Sequence, residues 1–239
     1  MVNKMIEKIK DFIEIDKKEV LRYLKYKNQN IDDNLSKMIE ESILETKKII
    51  NPRFIYRKYL IKKLKYNDEK NELMLEDGNI VFKSNDLYKL LENCNECMLI
   101  SATLGLEIER ELRKLTYTNL TKGVILDACA TTAIEEVCDI VQDNISRDLQ
   151  KINKYITSRY SPGYGDLSIE YNVQISNMLN SHNKLGLTVN HSGIMIPRKS
   201  VIAIIGVSDK KIKNTKKTCK NCDNVTNCEY KKEGHTCEI

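Results

Sequence analysis

The sequence predicts an α+β domain followed by a short tail of different composition. Helical and extended patterns come in blocks along the chain instead of alternating strictly, which argues against a doubly wound parallel sheet. The 239 residues are 41% apolar and 31% charged, as in a soluble globular protein with a highly charged surface. We therefore expect one domain over residues 1–208, with a helical part at 1–50, and a separate basic, cysteine-rich tail at 209–239.

Two amphipathic helices are predicted in the first fifty residues. Asp16 can cap a helix that begins KKEVLRYL, whose apolar side chains fall at helical spacing. The segment Ile31-Asp32-Asp33 opens the second helix. Asn51 ends it, because a residue that precedes proline avoids the helical conformation.

An antiparallel hairpin, a short helix and a strand are predicted next. Residues 54–82 alternate in polarity around the turn sequence Asp77-Gly78-Asn79, which favours two or three antiparallel strands. Ser84 can cap the short helix NDLYKLLENC. The apolar run CMLISATLG that follows predicts a central strand.

The rest of the domain is predicted to contain three helices and two extended segments. Helical spacing of apolar residues marks 105–116, the long stretch 121–152, and the segment IEYNVQISNMLN. The two extended segments, LGLTVNHSGIMIP and SVIAIIGVSD, lie on either side of a turn at Pro197.

Most of the formal net charge of +5 belongs to the tail. Residues 210–239 contain eight lysines and four acidic residues, so the body of the chain is almost neutral and offers no basic surface for nucleic acid. No apolar run reaches the length of a membrane span, and the first residues lack the apolar centre of a signal peptide. We therefore expect a cytoplasmic protein with no nucleic-acid or membrane partner and no disulfide framework.

The stretch SRYSPGYGDLS concentrates residues that shape the backbone. Ser161-Pro162-Gly163-Tyr164 predicts a type II turn, because proline sets the second position and glycine accepts the positive φ of the third. The planar guanidinium of Arg159 next to this exposed backbone could hold a carboxylate or a phosphate. The alternative is an ordinary surface turn with a solvated arginine.

The long helix carries acidic residues that could complete such a site. Helical geometry turns Glu135 away from the packed face of the helix and places Glu136 on its flank. A functional role requires that this face meets a cleft; otherwise it is a solvated acidic surface. The three histidines, including His191 near a turn, form no pattern typical of a hydrolytic triad.

The eight cysteines fall into two groups. Cys94 and Cys97 adjoin a predicted buried strand, which favours packing over redox or metal chemistry. The tail has the spacing C-x2-C-x5-C-x8-C, and four thiolates could bind zinc or an iron–sulfur cluster. The alternative is a flexible tail with reduced thiols. The candidate metal ligands are Cys219, Cys222, Cys228 and Cys237.

The segment Arg159-Tyr160-Ser161-Pro162-Gly163-Tyr164 resembles the R-x-x-x-G-Y motif with which activation (reactivation) domains of cobalamin-dependent methionine synthase bind S-adenosylmethionine. Leu187-Thr188 and the later residues Met195, Pro197 and Ser200-Val201 resemble that family's L-T and M-x-P-x-x-S-V segments. The stretches at 19–29 and 101–115 resemble stand-alone members. The resemblance covers about residues 15–208.

This resemblance implies a C-shaped domain with a twisted antiparallel sheet flanked by helices. Such a domain binds S-adenosylmethionine in a shallow groove and docks over cobalamin that another domain carries. There, the oxidised, inactive cob(II)alamin receives an electron from a flavodoxin- or ferredoxin-like donor and a methyl group from S-adenosylmethionine, which restores methylcobalamin.

The resemblance also implies a role for each matching residue. Arg159 should hold the carboxylate of the ligand, and the backbone of residues 160–163 should contact it. Tyr164 should stand near the reacting methyl group, as the catalytic candidate. An acidic residue of the long helix, Glu135 or Glu136, should meet the ammonium or sulfonium group.

The expected function is therefore a reactivation component for a separate cobalamin-binding methionine synthase that lacks its own activation domain. It would act only together with that partner. The alternative is a non-catalytic S-adenosylmethionine-binding accessory or sensor protein for another corrinoid methyltransferase. A zinc ion or an iron–sulfur cluster in the tail would dock a partner or deliver the electron.

Overall fold

The computed structural model describes residues 9–26, 31–67, 70–76 and 80–212. A six-stranded sheet forms its centre, with strand order β3-β2-β1-β4-β8-β5 and every neighbouring pair antiparallel. A separate two-stranded ribbon pairs β6 with β7. The strands are β1 (Arg53–Asn67), β2 (Lys70–Leu75), β3 (Val81–Lys83), β4 (Glu96–Thr103), β5 (Tyr155–Ile156), β6 (Thr188–Val189), β7 (Met195–Ile196) and β8 (Ser200–Ser208).

Helices cover both faces of this sheet, so the predicted α+β class is confirmed. A single 3₁₀ turn, Ile9–Phe12, precedes them. None of the helices in the described ranges is both long and apolar enough to span a lipid bilayer. The α-helices are α1 (Lys17–Tyr23), α2 (Asp33–Ile49), α3 (Asn85–Leu90), α4 (Leu106–Thr118), α5 (Leu120–Gln150), α6 (Tyr171–Leu179) and α7 (Ser181–Leu185).

Three of these helices begin at the residues that the sequence predicts as caps. The side chain of Asp16 accepts a hydrogen bond from the backbone N–H of Lys18, and the carboxylate of Asp32 accepts one from Leu35. The hydroxyl of Ser84 accepts one from Leu87. Each cap satisfies a backbone donor that the first turn of a helix leaves without a partner.

The sheet separates two hydrophobic cores. Strand β4 is buried along its whole length between β1 and β8, as the central position predicted for it requires. Its successive side chains point to opposite faces. Met98 and Ile100 join α1, α2, α4 and α5 in the first core, whereas Cys97 and Leu99 join α3, α6 and α7 in the second.

One extended segment differs from the prediction. The stretch LGLTVNHSGIMIP is a short hairpin of β6 and β7 instead of one strand. The side chain of Asn190 closes its turn by accepting hydrogen bonds from the N–H groups of Ser192 and Ile194, at 3.0 and 2.9 Å. Such local bonds give the chain an alternative to continued extension. The predicted turn at 77–79 lies outside the described residues, but the strands on either side of it pair as predicted.

Candidate functional site

The predicted turn at residues 161–164 is present at the edge of the sheet. Gly163 has a φ of +95°, which fits the third position of a type II turn. The N–H of Tyr164 donates to the carbonyl of Ser161 at 3.2 Å and closes the turn. A side chain at Gly163 would be strained by this φ, although the space around its Cα is open enough for ordinary contact with Ile169.

The loop that contains this turn is closed on itself and anchored in the second core. The N–H of Gly163 donates to the carbonyl of Leu167 at 2.8 Å, and the N–H of Leu167 donates to Tyr164 at 3.0 Å. Leu167 is buried. Gly165 has a φ of +52°, and a Cβ there would lie 2.3 Å from the hydroxyl oxygen of Tyr160. Gly165 therefore lets the side chain of Tyr160 pack closely against the backbone of the loop.

Helix α3 holds the far end of the same loop. The carboxylate of Asp166 accepts hydrogen bonds from the hydroxyl of Ser84 and from the N–H groups of Asn85 (2.7 Å) and Asp86 (3.3 Å). Partial burial raises the pKa of Asp166, but the bonds from Ser84 and Asn85 outweigh it, so that the pKa is lower than usual. Asp166 thus remains a carboxylate that fixes the loop to the start of α3.

Arg159 reaches from this loop to the long helix α5. Its guanidinium nitrogens lie 3.2 Å from Glu135 Oε2, 2.5 Å from Asp139 Oδ1 and 3.3 Å from Gln142 Oε1. The Arg159 side chain is only 13% exposed, whereas Glu135 and Asp139 are 44% and 51% exposed. The cation is therefore held inside the cluster, and the two carboxylates face outward.

The structure separates the two glutamates that the sequence left as alternatives. Glu135 contacts Arg159, whereas no ion pair joins Glu136 to a base within the described residues. Burial raises the pKa of Glu135, and the charge of Arg159 acts against that shift. Burial and the neighbouring Asp139 raise the pKa of Glu136. Of the two glutamates, Glu135 is thus the one that contacts Arg159.

The two tyrosines of the turn have different surroundings. The backbone of Tyr160 pairs with Ile204 of β8 through two hydrogen bonds of 2.9 and 2.8 Å, which extends the sheet beyond β5. The Tyr160 hydroxyl donates to the carbonyl of Tyr164 at 3.2 Å. Tyr164 is 54% exposed.

A second contact joins α5 to the sheet two turns earlier on the helix. The ammonium of Lys199 lies 2.9 Å from Asp127 Oδ1 and 2.7 Å from the hydroxyl of Thr131. These three residues also line a cavity of about 760 Å³ between α4, α5 and the end of α1. Thr131 lies one helical turn, about 6 Å, before Glu135. The cavity therefore ends about one helical turn before the residues that contact Arg159.

The sequence did not predict that Asp139, Gln142, Asp166 or Lys199 belongs to this region. Asp139 was visible only as one of several acidic residues on the predicted helix. No local pattern marks the other three. His191, by contrast, is exposed and lies on the turn of the β6–β7 hairpin.

The four predicted metal ligands of the tail lie outside the described residues. Within the described ranges, no group of three or more histidine, cysteine, aspartate or glutamate side chains is arranged to hold a metal ion. Cys94 and Cys97 are buried, and burial raises their pKa values to about 11 and about 12. These two thiols therefore stay protonated and pack in the core, as predicted.

A comparison with solved structures finds a similar fold. The chain is similar to one described as "Crystal Structure of the MetH Reactivation Domain bound to AdoHcy", with a TM-score of 0.61 and 13% sequence identity over 90% of this chain and 81% of that one. No family model matches the sequence, and no curated protein is significantly similar to it. At 13% identity, the likeness establishes the fold of this chain: an antiparallel sheet flanked by helices, as in that reactivation domain.

Proposed function

We propose that this protein binds S-adenosylmethionine beside the turn at 161–164 and supports the reductive methylation of cob(II)alamin on a separate methionine synthase. One observation carries the proposal most directly. Arg159 and Glu135, one of the two glutamates that the resemblance offers as the acidic contact, lie 3.2 Å apart although they are 24 positions apart in the sequence. Their meeting on a reactivation-type fold favours this reading over an ordinary surface turn.

The charges of the site suit the amino-acid end of the ligand. The guanidinium of Arg159 can donate paired hydrogen bonds to a carboxylate. Glu135, whose side chain is 44% exposed, can accept hydrogen bonds from an ammonium group. A zwitterion thus finds a partner for each of its charges at one place.

The turn supplies the remaining groups. The backbone of residues 160–163 can approach a ligand closely because Pro162 and Gly163 bend it sharply and because glycine has no side chain. The exposed ring of Tyr164 would face the sulfonium end. S-adenosylmethionine would supply an electrophilic methyl group, and cobalamin would come with the partner synthase.

Binding can be measured by isothermal titration of the protein with S-adenosylmethionine. We expect Arg159→Ala to weaken binding by about 2–4 kcal/mol, because the ligand carboxylate loses its charged partner. Arg110→Ala is a matched control, since Arg110 is an exposed arginine that pairs with Glu107 on α4, away from the turn. Unchanged affinity in Arg159→Ala, or no binding by the wild type at millimolar ligand, would show that the proposal is wrong.

The activity is tested by mixing the protein with an electron donor and a methionine synthase that lacks an activation domain. We expect methylcobalamin to be recovered from cob(II)alamin only when all components and S-adenosylmethionine are present. A protein that binds the ligand but restores no methylcobalamin would instead be an accessory or sensor protein.

A further inference from the structure

We propose that Asp139 makes this site selective for the positive charge of S-adenosylmethionine, so that it binds this ligand more tightly than the neutral S-adenosylhomocysteine. The inference rests on the proposed function and concerns a residue that the motif does not contain. It follows from the balance of charges around Arg159.

Acidic groups outnumber basic ones at this place. Glu135 and Asp139 both form ion pairs with Arg159, so that one guanidinium compensates two carboxylates. Nearby, Arg22 is paired with Glu19 at 2.7 Å, and its charge acts on Glu135 less strongly than that of Arg159. The rest of the surroundings is acidic as well: Asp139, Glu14 and Asp143 all raise the pKa of Glu136 by repulsion, after burial, which is the largest cause.

Binding of an amino-acid group changes this balance in a defined way. The ligand carboxylate pairs with the guanidinium of Arg159, which Glu135 and Asp139 share in the free protein. The ligand ammonium then compensates one carboxylate, and the other is left without a counter-charge. A sulfonium group supplies the missing positive charge, whereas the thioether of S-adenosylhomocysteine does not.

Asp139 is the carboxylate that fits this second role. It is the more exposed of the two acids, at 51%, and it lies one helical turn from Glu135 on the same face of α5. In the free protein its oxygen lies 2.5 Å from Arg159 Nη1, and a ligand carboxylate would compete for that nitrogen. The proposal therefore gives Asp139 a function that differs from the ammonium contact expected of Glu135.

The expected preference is moderate because the site is open to water. A charge pair several ångströms apart near the surface contributes on the order of 1 kcal/mol, which corresponds to a ratio of dissociation constants of roughly three to ten. Asp139→Asn should reduce this ratio to near one, mainly by weakening the binding of S-adenosylmethionine.

The test is isothermal titration of the full-length wild type, Asp139→Asn and Asp148→Asn with both ligands. Asp148 is a matched control, because it is an exposed aspartate of α5 that lies nine residues further on, about 13 Å along the helix axis. We expect the wild-type ratio to persist in Asp148→Asn and to fall in Asp139→Asn. Raising the salt concentration should lower the wild-type ratio, since salt screens exposed charges.

Several results would overturn the inference without touching the proposed function. The first is equal affinity of the wild type for the two ligands. The second is an unchanged ratio of the two dissociation constants in Asp139→Asn. If that variant binds both ligands more weakly by the same factor, Asp139 only supports the site. If the wild type binds neither ligand, the proposed function itself fails.

Discussion

At the scale of single residues, Glu96 shows how a nearly buried charge is tolerated in the sheet. The residue is 8% exposed, and its carboxylate lies 2.7 Å from the ammonium of Lys58 and 2.5 Å from that of Lys154. Burial raises the pKa of Glu96, but the hydrogen bonds from Lys154 and Lys58 outweigh it and bring the pKa below the ordinary value of 4.5. The ionised carboxylate therefore stabilises the fold.

This pKa predicts how stability depends on pH. The contribution of Glu96 should be complete above pH 4.5, the ordinary value, and should be lost as the pH falls through the lowered pKa of the folded state. We expect Glu96→Gln to reduce the free energy of unfolding at pH 7 by about 1–3 kcal/mol, because one partner of a shielded cluster is removed. The difference from the wild type should shrink progressively as the pH falls below 4.5.

Urea denaturation at a series of pH values measures both effects. Glu107→Gln is the control, since Glu107 forms an exposed pair with Arg110 and should change stability by less than about 1 kcal/mol. A Glu96→Gln variant with wild-type stability at pH 7 would contradict the role of the cluster.

Some residues of the site could be predicted from the sequence, and others could not. Arg159 and Glu135 were expected because a motif and a helical period mark them. Gln142 and Asp166 were not, because they act through contacts with residues 17 and 80 or more positions away. No local spacing encodes such a contact, which depends on how α5 and α3 pack against the sheet edge.

At the scale of elements, Gly206 permits the close packing of α3 on β8. Gly206 pairs with Cys97 in the sheet, and a Cβ at this position would lie 2.4 Å from Leu91 Cδ2 and 2.6 Å from Cys94 Sγ. Both atoms belong to buried side chains that follow the end of α3. The strand and the helix can therefore approach only because this residue has no side chain.

We expect Gly206→Ala to destabilise the protein by about 1–3 kcal/mol, the usual cost of overfilling a packed core. Chemical denaturation measures the change. The double variant with Leu91→Ala should lose less stability than the sum of the two single variants, because the shortened side chain removes one of the two clashing groups. Additive losses in the double variant would show that the two side chains do not meet.

Helices and strands were predictable where the interactions that define them join residues close together in the sequence. The caps Asp16, Asp32 and Ser84 start their helices as predicted, because each bond joins residues two or three positions apart. The β6–β7 hairpin was missed. Its sequence is apolar enough for a strand, and the turn depends on the side chain of Asn190, which a count of apolar residues does not register.

At the scale of the whole molecule, the site arises where the sheet edge ends. Strand β5 pairs with β8 for only two residues, and the chain then returns to β8 at Tyr160. Thr157 still donates its N–H to Gly206 of β8, so that only Ser158 and Arg159 depart from the sheet edge; Arg159 turns towards α5, while Tyr160 packs against the second core. The interrupted edge thus gives one short segment access to both faces of the sheet.

The extent of the two cores predicts how removal of the tail affects stability and ligand binding. Among the residues that the structure describes, the two cores extend from Ile9 to Ile212, and Ile212 itself packs against the second core. We expect a chain that ends at Ile212 to unfold with a free energy within about 0.5 kcal/mol of the full-length protein, because it retains all of these core residues. Its affinity for S-adenosylmethionine should also be unchanged, since Arg159, Glu135 and the turn are retained.

Removal of the tail should change the metal content of the protein, in contrast to its stability and its ligand affinity. If Cys219, Cys222, Cys228 and Cys237 bind zinc or an iron–sulfur cluster, anaerobically purified full-length protein should contain zinc or iron, and the chain that ends at Ile212 should contain neither. The shortened chain should then still bind S-adenosylmethionine but lose recovery of methylcobalamin if the cluster delivers the electron. Full-length protein without either metal would remove the tail from the mechanism and leave the ligand site as it is.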